Sequence, residues 1–196
     1  MSEGRAERAP GRSGRWLLFA TLAGGVLVID QASKGWVESA FRVASTRGSS
    51  PGLAPPTPIL GDFVRIAKTY NDGGIFGLFG SSAPVLALAS LLVIGLIVLY
   101  QARTVATAPV LLTATLGLLL GGAVGNLVDR LRFGHVIDFV DMGVGGFRWY
   151  TFNVADASIS IAVVGLVALS LMGDRRGGGE RSRRIAATSG ATDRAG

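Results

Sequence analysis

The chain contains no cysteine and one histidine, His135. The first absence excludes disulfides, thiol catalysis and cysteine-based zinc sites, and leaves the redox compartment open. The second excludes a zinc-protease motif that needs two histidines on one helix. A serine hydrolase would have to use His135, and no Gly-x-Ser-x-Gly elbow occurs. Charge is also scarce: 16% of the 196 residues are charged, against 49% hydrophobic. The mean hydropathy, +0.47, is too high for an ordinary soluble domain. The net charge of +6 invites a nucleic-acid reading. The arginines, however, sit in tails beside apolar runs and not on an amphipathic recognition element, so no nucleic-acid partner is expected.

What the chain does have is four long apolar runs. They start at Trp16, near Ser82, at Ala108 and at Val154. Each approaches the ~20 residues that span a bilayer as a helix. The expected fold class is therefore an all-α polytopic membrane protein, with helices at about 16–37, 82–101, 108–129 and 154–172. The first run follows Arg5, Arg8, Arg12 and Arg15 but lacks a clean small-x-small cleavage site. It continues into Asp30, Gln31 and Lys34, so a retained helix is expected rather than a cleaved leader. Residues 1–15 form a basic tail, and residues 173–196, rich in Gly and Arg, a second tail expected to be disordered. Arginine in both tails predicts that both termini are cytoplasmic. The segments from about Ser39 to Ser81 and from Asp129 to Asn153 then face outward. In the first, residues 44–58 are Pro/Ser/Gly-rich and read as flexible. Residues 59–70 (ILGDFVRIAKTY) partly alternate, which predicts short strands and hence a small extracytoplasmic β-sheet between helices 1 and 2.

Ionisable groups within or beside membrane helices are costly and persist where they face a bundle interior or a wet cavity. Asp30 and Lys34 lie four apart, acid first, the favourable order for a helical ion pair. Asn71, in TYNDGGIFGLF, sits where the glycines permit a tight turn and its amide can hold a peptide backbone. Gly122, Asn126 and Asp129 share one face of the third helix, with Arg130 four residues after Asn126 and glycines before them for close packing. Asn153, Asp156 and Ser160 repeat the spacing on the fourth. Two helices thus present an Asn and an Asp at the same membrane edge.

Paired carboxylates are the best-supplied catalytic chemistry in such a chain. Two close aspartates share one proton, so that one activates water and the other polarises a scissile carbonyl. Asp156 is one member, and its partner is Asp129, Asp138 or Asp141. Asp129 adjoins Arg130, which favours a structural ion pair. Asp141 lies near glycines and reads as solvated. Asp138 is flanked by Val136, Ile137, Phe139 and Val140. Those apolar neighbours raise a carboxyl pKa, and physics alone prefers Asp138. A small proton- or ion-coupled transporter component is the alternative from another class. Its acids should reach the bilayer midplane, whereas these gather at one edge.

The blocks VIDQASK, YNDGGIFGLF, GGAVGNLVDRLRFGHVIDFVD and FNVADASI occur in that order between Trp16 and Met172. Together they resemble the bacterial lipoprotein signal peptidases (signal peptidase II), a family of four-helix inner-membrane aspartic proteases. The resemblance implies a catalytic pair at Asp138 and Asp156. It implies that Asp30, Lys34, Asn71, Gly122, Asn126, Asp129, Arg130, Asn153 and Ala155 bind substrate or support the site. It further implies cleavage of a prolipoprotein before its diacylglyceryl-modified cysteine, without cofactor or metal. The enzyme would be a monomer among membrane lipids, with its site near the outer face. Two departures stand out. Gly74-Ile75 replaces two small residues of the family pattern, and the 44–58 insertion is longer than usual.

Overall fold

The computed structural model describes residues 11–44, 52–72 and 83–172. Residues 1–10 of the first expected tail, all of the second, residues 45–51 of the Pro/Ser-rich insertion and the expected Gly73–Phe76 turn lie outside the described residues. Among the described residues, four helices are long and apolar enough to cross a membrane: α1 (Arg12–Ala40), α2 (Ala83–Thr104), α3 (Val110–Phe133) and α4 (Val154–Met172). The helices overlap the four expected apolar runs, and α1, α2 and α3 end three or four residues later than those runs. Among the described residues there are four strands: β1 (Thr57–Leu60), β2 (Val64–Asn71), β3 (Val136–Val144) and β4 (Phe147–Arg148).

Helix α3 is the centre of the bundle. Of its most apolar stretch 56% is buried inside the protein, against 11–17% for the other three helices. Their outward faces carry exposed Leu88, Leu92 and Leu96 on α2, and Ile161, Val164 and Val167 on α4. Such faces need an apolar solvent, which a lipid bilayer provides.

Close packing on α3 depends on glycine. Gly117, Gly121 and Gly125 recur every fourth residue and face α1. A Cβ on Gly121 would stand 2.6 Å from the Ala23 carbonyl oxygen and 2.7 Å from the Val26 Cβ. On Gly122 it would meet the Ala155 carbonyl oxygen at 2.6 Å, on the α4 side. Backbone cannot yield as a flexible side chain does. Gly121→Val is therefore expected to cost about 1–3 kcal/mol through overpacking, read as a lower unfolding temperature in detergent. An unchanged melt would show that α1 is free to move away.

The sheet is antiparallel in the order β1-β2-β3-β4. Sequence reasoning placed it between the first two helices, but half of it comes from the segment between α3 and α4. Gly134, at φ 75°, ends α3 in a left-handed cap, its N–H donating to the Arg130 carbonyl, and sends the chain into β3. One edge of β3 pairs with β2. On the other, Val140 exchanges two backbone hydrogen bonds with Phe152, just before α4. A bulge where β2 passes Ala67 and Lys68 shifts the β2–β3 register, so that Thr69 stands opposite Asp138. The opposite end of the bundle carries the α2–α3 loop, where Arg15 near the start of α1 donates to the Ala108 carbonyl.

Candidate active site

Helices α1, α3 and α4 and strands β2 and β3 bring polar side chains together at the sheet end of the bundle. Asn153 is the N-cap of α4. Its Oδ1 accepts the Asp156 backbone N–H (2.9 Å), while the Asp156 Oδ2 accepts the Asn153 N–H (3.3 Å). This is a reciprocal capping box, written in the sequence as Asn-x-x-Asp. The Asn153 Nδ2 then reaches the Asp138 Oδ1 at 2.7 Å. Asn71 Nδ2 donates to the other Asp138 oxygen at 3.0 Å. Asn126 Nδ2 donates to the Asp156 Oδ1 at 2.7 Å. Both carboxylates are thus held by amide donors, and a single residue, Asn153, touches both.

Asp138 is 1% exposed, within a run of four buried residues on β3. Burial pushes its carboxyl up to about 7, with the negative charge of Asp156 adding to the effect and the donors from Asn71 and Asn153 opposing it. Asp156 is half-buried at the first turn of α4.

A second cluster lies behind the first. Lys34 Nζ is 2.9 Å from Asp30 Oδ2, 2.9 Å from Asp129 Oδ2 and 3.0 Å from Asn126 Oδ1. Lys34 is 2% exposed and Asp30 not at all. Asp30 Oδ1 also accepts the Ala155 N–H (2.9 Å), fixing the start of α4 to α1. Asp30 fills the space beside Gly125, where a Cβ would meet its Oδ2 at 2.6 Å.

Two sequence expectations fail here. Asp129 pairs with Lys34 of α1 and not with Arg130. Its carboxylate further accepts from Gln31 Nε2 (2.9 Å) and the Ile137 N–H (3.2 Å). Consecutive helical residues do not face each other, and Arg130 instead donates to the Asn126 carbonyl at 3.3 Å. Nor is Asp141 solvated. It is 1% exposed and clamped between Arg65, at 2.5 Å, and Arg148, at 3.0 Å. This knot ties β2, β3 and β4 together. Sequence reasoning also passed over Gln31 as a site residue, although it follows Asp30 directly and bridges Asp129 to the Gly125 carbonyl (3.3 Å). Among the described residues, no group of three or more His, Asp or Glu side chains could hold a metal ion.

Taken together, the bundle is that of a multi-pass membrane protein with a polar cluster at one end. Its fold is shared with two solved bacterial membrane enzymes. One has a TM-score of 0.66 at 22% identity, covering 83% of this chain and 89% of that one. The other has a TM-score of 0.64 at 21% identity, covering 81% and 93%. The family profile described as signal peptidase (SPase) II matches residues 22–172. A protein of Methylorubrum extorquens named lipoprotein signal peptidase is 40% identical over 165 residues, covering 82% of this chain and 86% of that protein. One of the same name from Syntrophus aciditrophicus is 38% identical over 157 residues, covering 77% and 90%. The chain belongs to the signal peptidase II family and is a peptidase. The transporter alternative finds no support.

Proposed function

We propose that this peptidase removes the signal peptide from diacylglyceryl-modified prolipoproteins, cutting before the lipidated cysteine, with Asp138 and Asp156 as its catalytic pair. The observation that carries the assignment is the bridging of these two carboxylates by Asn153. The pair shares one proton. The ionised member takes a proton from water as it attacks the scissile carbonyl, and the protonated member gives its proton to the carbonyl oxygen. Collapse of the tetrahedral diol breaks the C–N bond: the amine of the lipidated cysteine leaves with a proton from the pair, and the pair regains one from a diol hydroxyl as the carboxyl product forms. Asp30, Lys34, Gly122, Asn126, Asp129, Arg130, Asn153 and Ala155 support this site, and Asn71 holds Asp138 from the sheet.

The sheet and the pair lie toward the outer face of the inner membrane, and both termini are cytoplasmic. Arg12 and Arg15 at the start of α1, at the end away from the sheet, support this orientation. Residues 16–172 act as one membrane protease unit, a monomer among lipids, between basic tails at 1–15 and 173–196.

The direct test supplies the purified full chain with two prolipoproteins that differ only in the diacylglyceryl group. Cleavage before the modified cysteine, and little of the unmodified protein, is the expected result. Equal cleavage of both would refute the lipid requirement, and cleavage of neither the assignment itself.

A further inference from the structure

The three N–H donors of the Lys34 ammonium meet Asp30, Asp129 and the Asn126 Oδ1. An ammonium donates and cannot accept. The oxygen end of the Asn126 amide must therefore face Lys34, and its nitrogen end must face away, onto the Asp156 Oδ1 at 2.7 Å. Rotating this amide by half a turn would set N–H against the ammonium and against the Asn153 N–H, and oxygen against carboxylate, three repulsions in place of three bonds. Asn153 is oriented by the same logic. The Asp156 backbone N–H, another donor, takes its Oδ1, leaving the Nδ2 for Asp138 and for the Asn126 Oδ1 at 3.1 Å.

We infer that Lys34 is a positioning residue that sets the orientation of the Asn126 amide and so delivers an N–H donor to Asp156. The inference rests on the assignment of Asp138 and Asp156 as the catalytic pair. Asp30 and Asp129 serve it by fixing Lys34 from two sides. The buried ions are thereby given a task beyond cohesion: together with the Asn153 N–H and the Asp156 carboxylate, they select one of two amide orientations. Lys34 itself touches neither proposed catalytic carboxylate: its hydrogen-bonded path to Asp156 runs through Asn126, and its positive charge also acts on Asp138 through space.

Two neutral replacements separate donation from charge. Lys34→Met has no donor, whereas Lys34→Gln retains a neutral one. Each is purified as the full chain, and kcat and KM for a diacylglyceryl prolipoprotein are measured beside the thermal melt. Lys34→Met is expected to lose roughly 10–100-fold in kcat, as supporting residues around a reactive group commonly do, with little change in KM. Lys34→Gln is expected to recover part of that loss. If Lys34→Met fails to fold because two carboxylates are left without their cation, the combination Lys34→Met, Asp30→Asn and Asp129→Asn replaces it. That variant is neutral throughout and keeps acceptors for the Ala155 and Ile137 N–H groups. Full kcat in a folded Met variant would overturn the inference. So would equal losses in the Met and Gln variants, which would assign the effect to charge. Failure of the underlying pair reads out separately, as activity surviving in Asp138→Asn or Asp156→Asn.

Discussion

Asp138→Asn and Asp156→Asn are each expected to lower turnover by roughly 10²–10⁴-fold, the range of positioned acid–base catalysis, with the fold intact. Asparagine keeps the shape and an accepting oxygen, so the capping bond from the Asn153 N–H survives at position 156, as does one amide contact at 138. What disappears is the ability to hold or give up a proton. Cleavage of a diacylglyceryl prolipoprotein, with a thermal melt on the same sample, checks this. Wild-type turnover in either variant would remove that residue from the chemistry. A pH profile gives an independent reading. Asp138 is pushed up to about 7, first by burial and then by the charge of Asp156. The singly protonated pair persists below that value and becomes doubly ionised above it. The kcat/KM of the wild-type enzyme should therefore decline as pH rises through about 7. A flat profile to pH 9 would contradict proton sharing.

Asp129→Ala is expected to act on stability. The residue is 1% exposed and its carboxylate satisfies Lys34, Gln31 and the Ile137 N–H. Breaking a buried ion pair by removing one partner commonly costs about 3–5 kcal/mol. Lys34 keeps Asp30 as a second partner, which places the loss at the lower end of that range. Asp129→Asn retains an acceptor for Ile137 and should lose less. The measurement is the unfolding midpoint in detergent, with activity corrected for the folded fraction. A normally folded Asp129→Asn protein without turnover would instead put Asp129 in the reaction.

The aspartates also show what the sequence revealed and what it withheld. The helices were legible because a bilayer demands long apolar runs, and four such runs are present. The gathering of Asn126, Asp129, Asn153 and Asp156 was legible as matched spacing on two helices. The partners were not. Asp129 lies beside Arg130 in sequence, but its cation comes from α1, and nothing local to either residue announces that contact. Strand β3 was missed because it is central. Paired on both edges and buried through Val136–Phe139, Asp138 included, it carries no polar–apolar alternation to betray a strand. Asp141 looked solvated because glycines follow it, whereas Arg65 reaches it from 76 residues away.

The capping box has a consequence for when this enzyme becomes dangerous. Asp156 is held by the first turn of α4 that it helps to close, and that turn is tied to α1 through Asp30 and Ala155. With Asp156 in the proposed catalytic pair, forming the last helix end and completing that pair are one event. A chain still threading into the membrane, with α4 not yet docked, holds no half-built site that could nick its neighbours. Proteolytic competence arrives only with completed assembly.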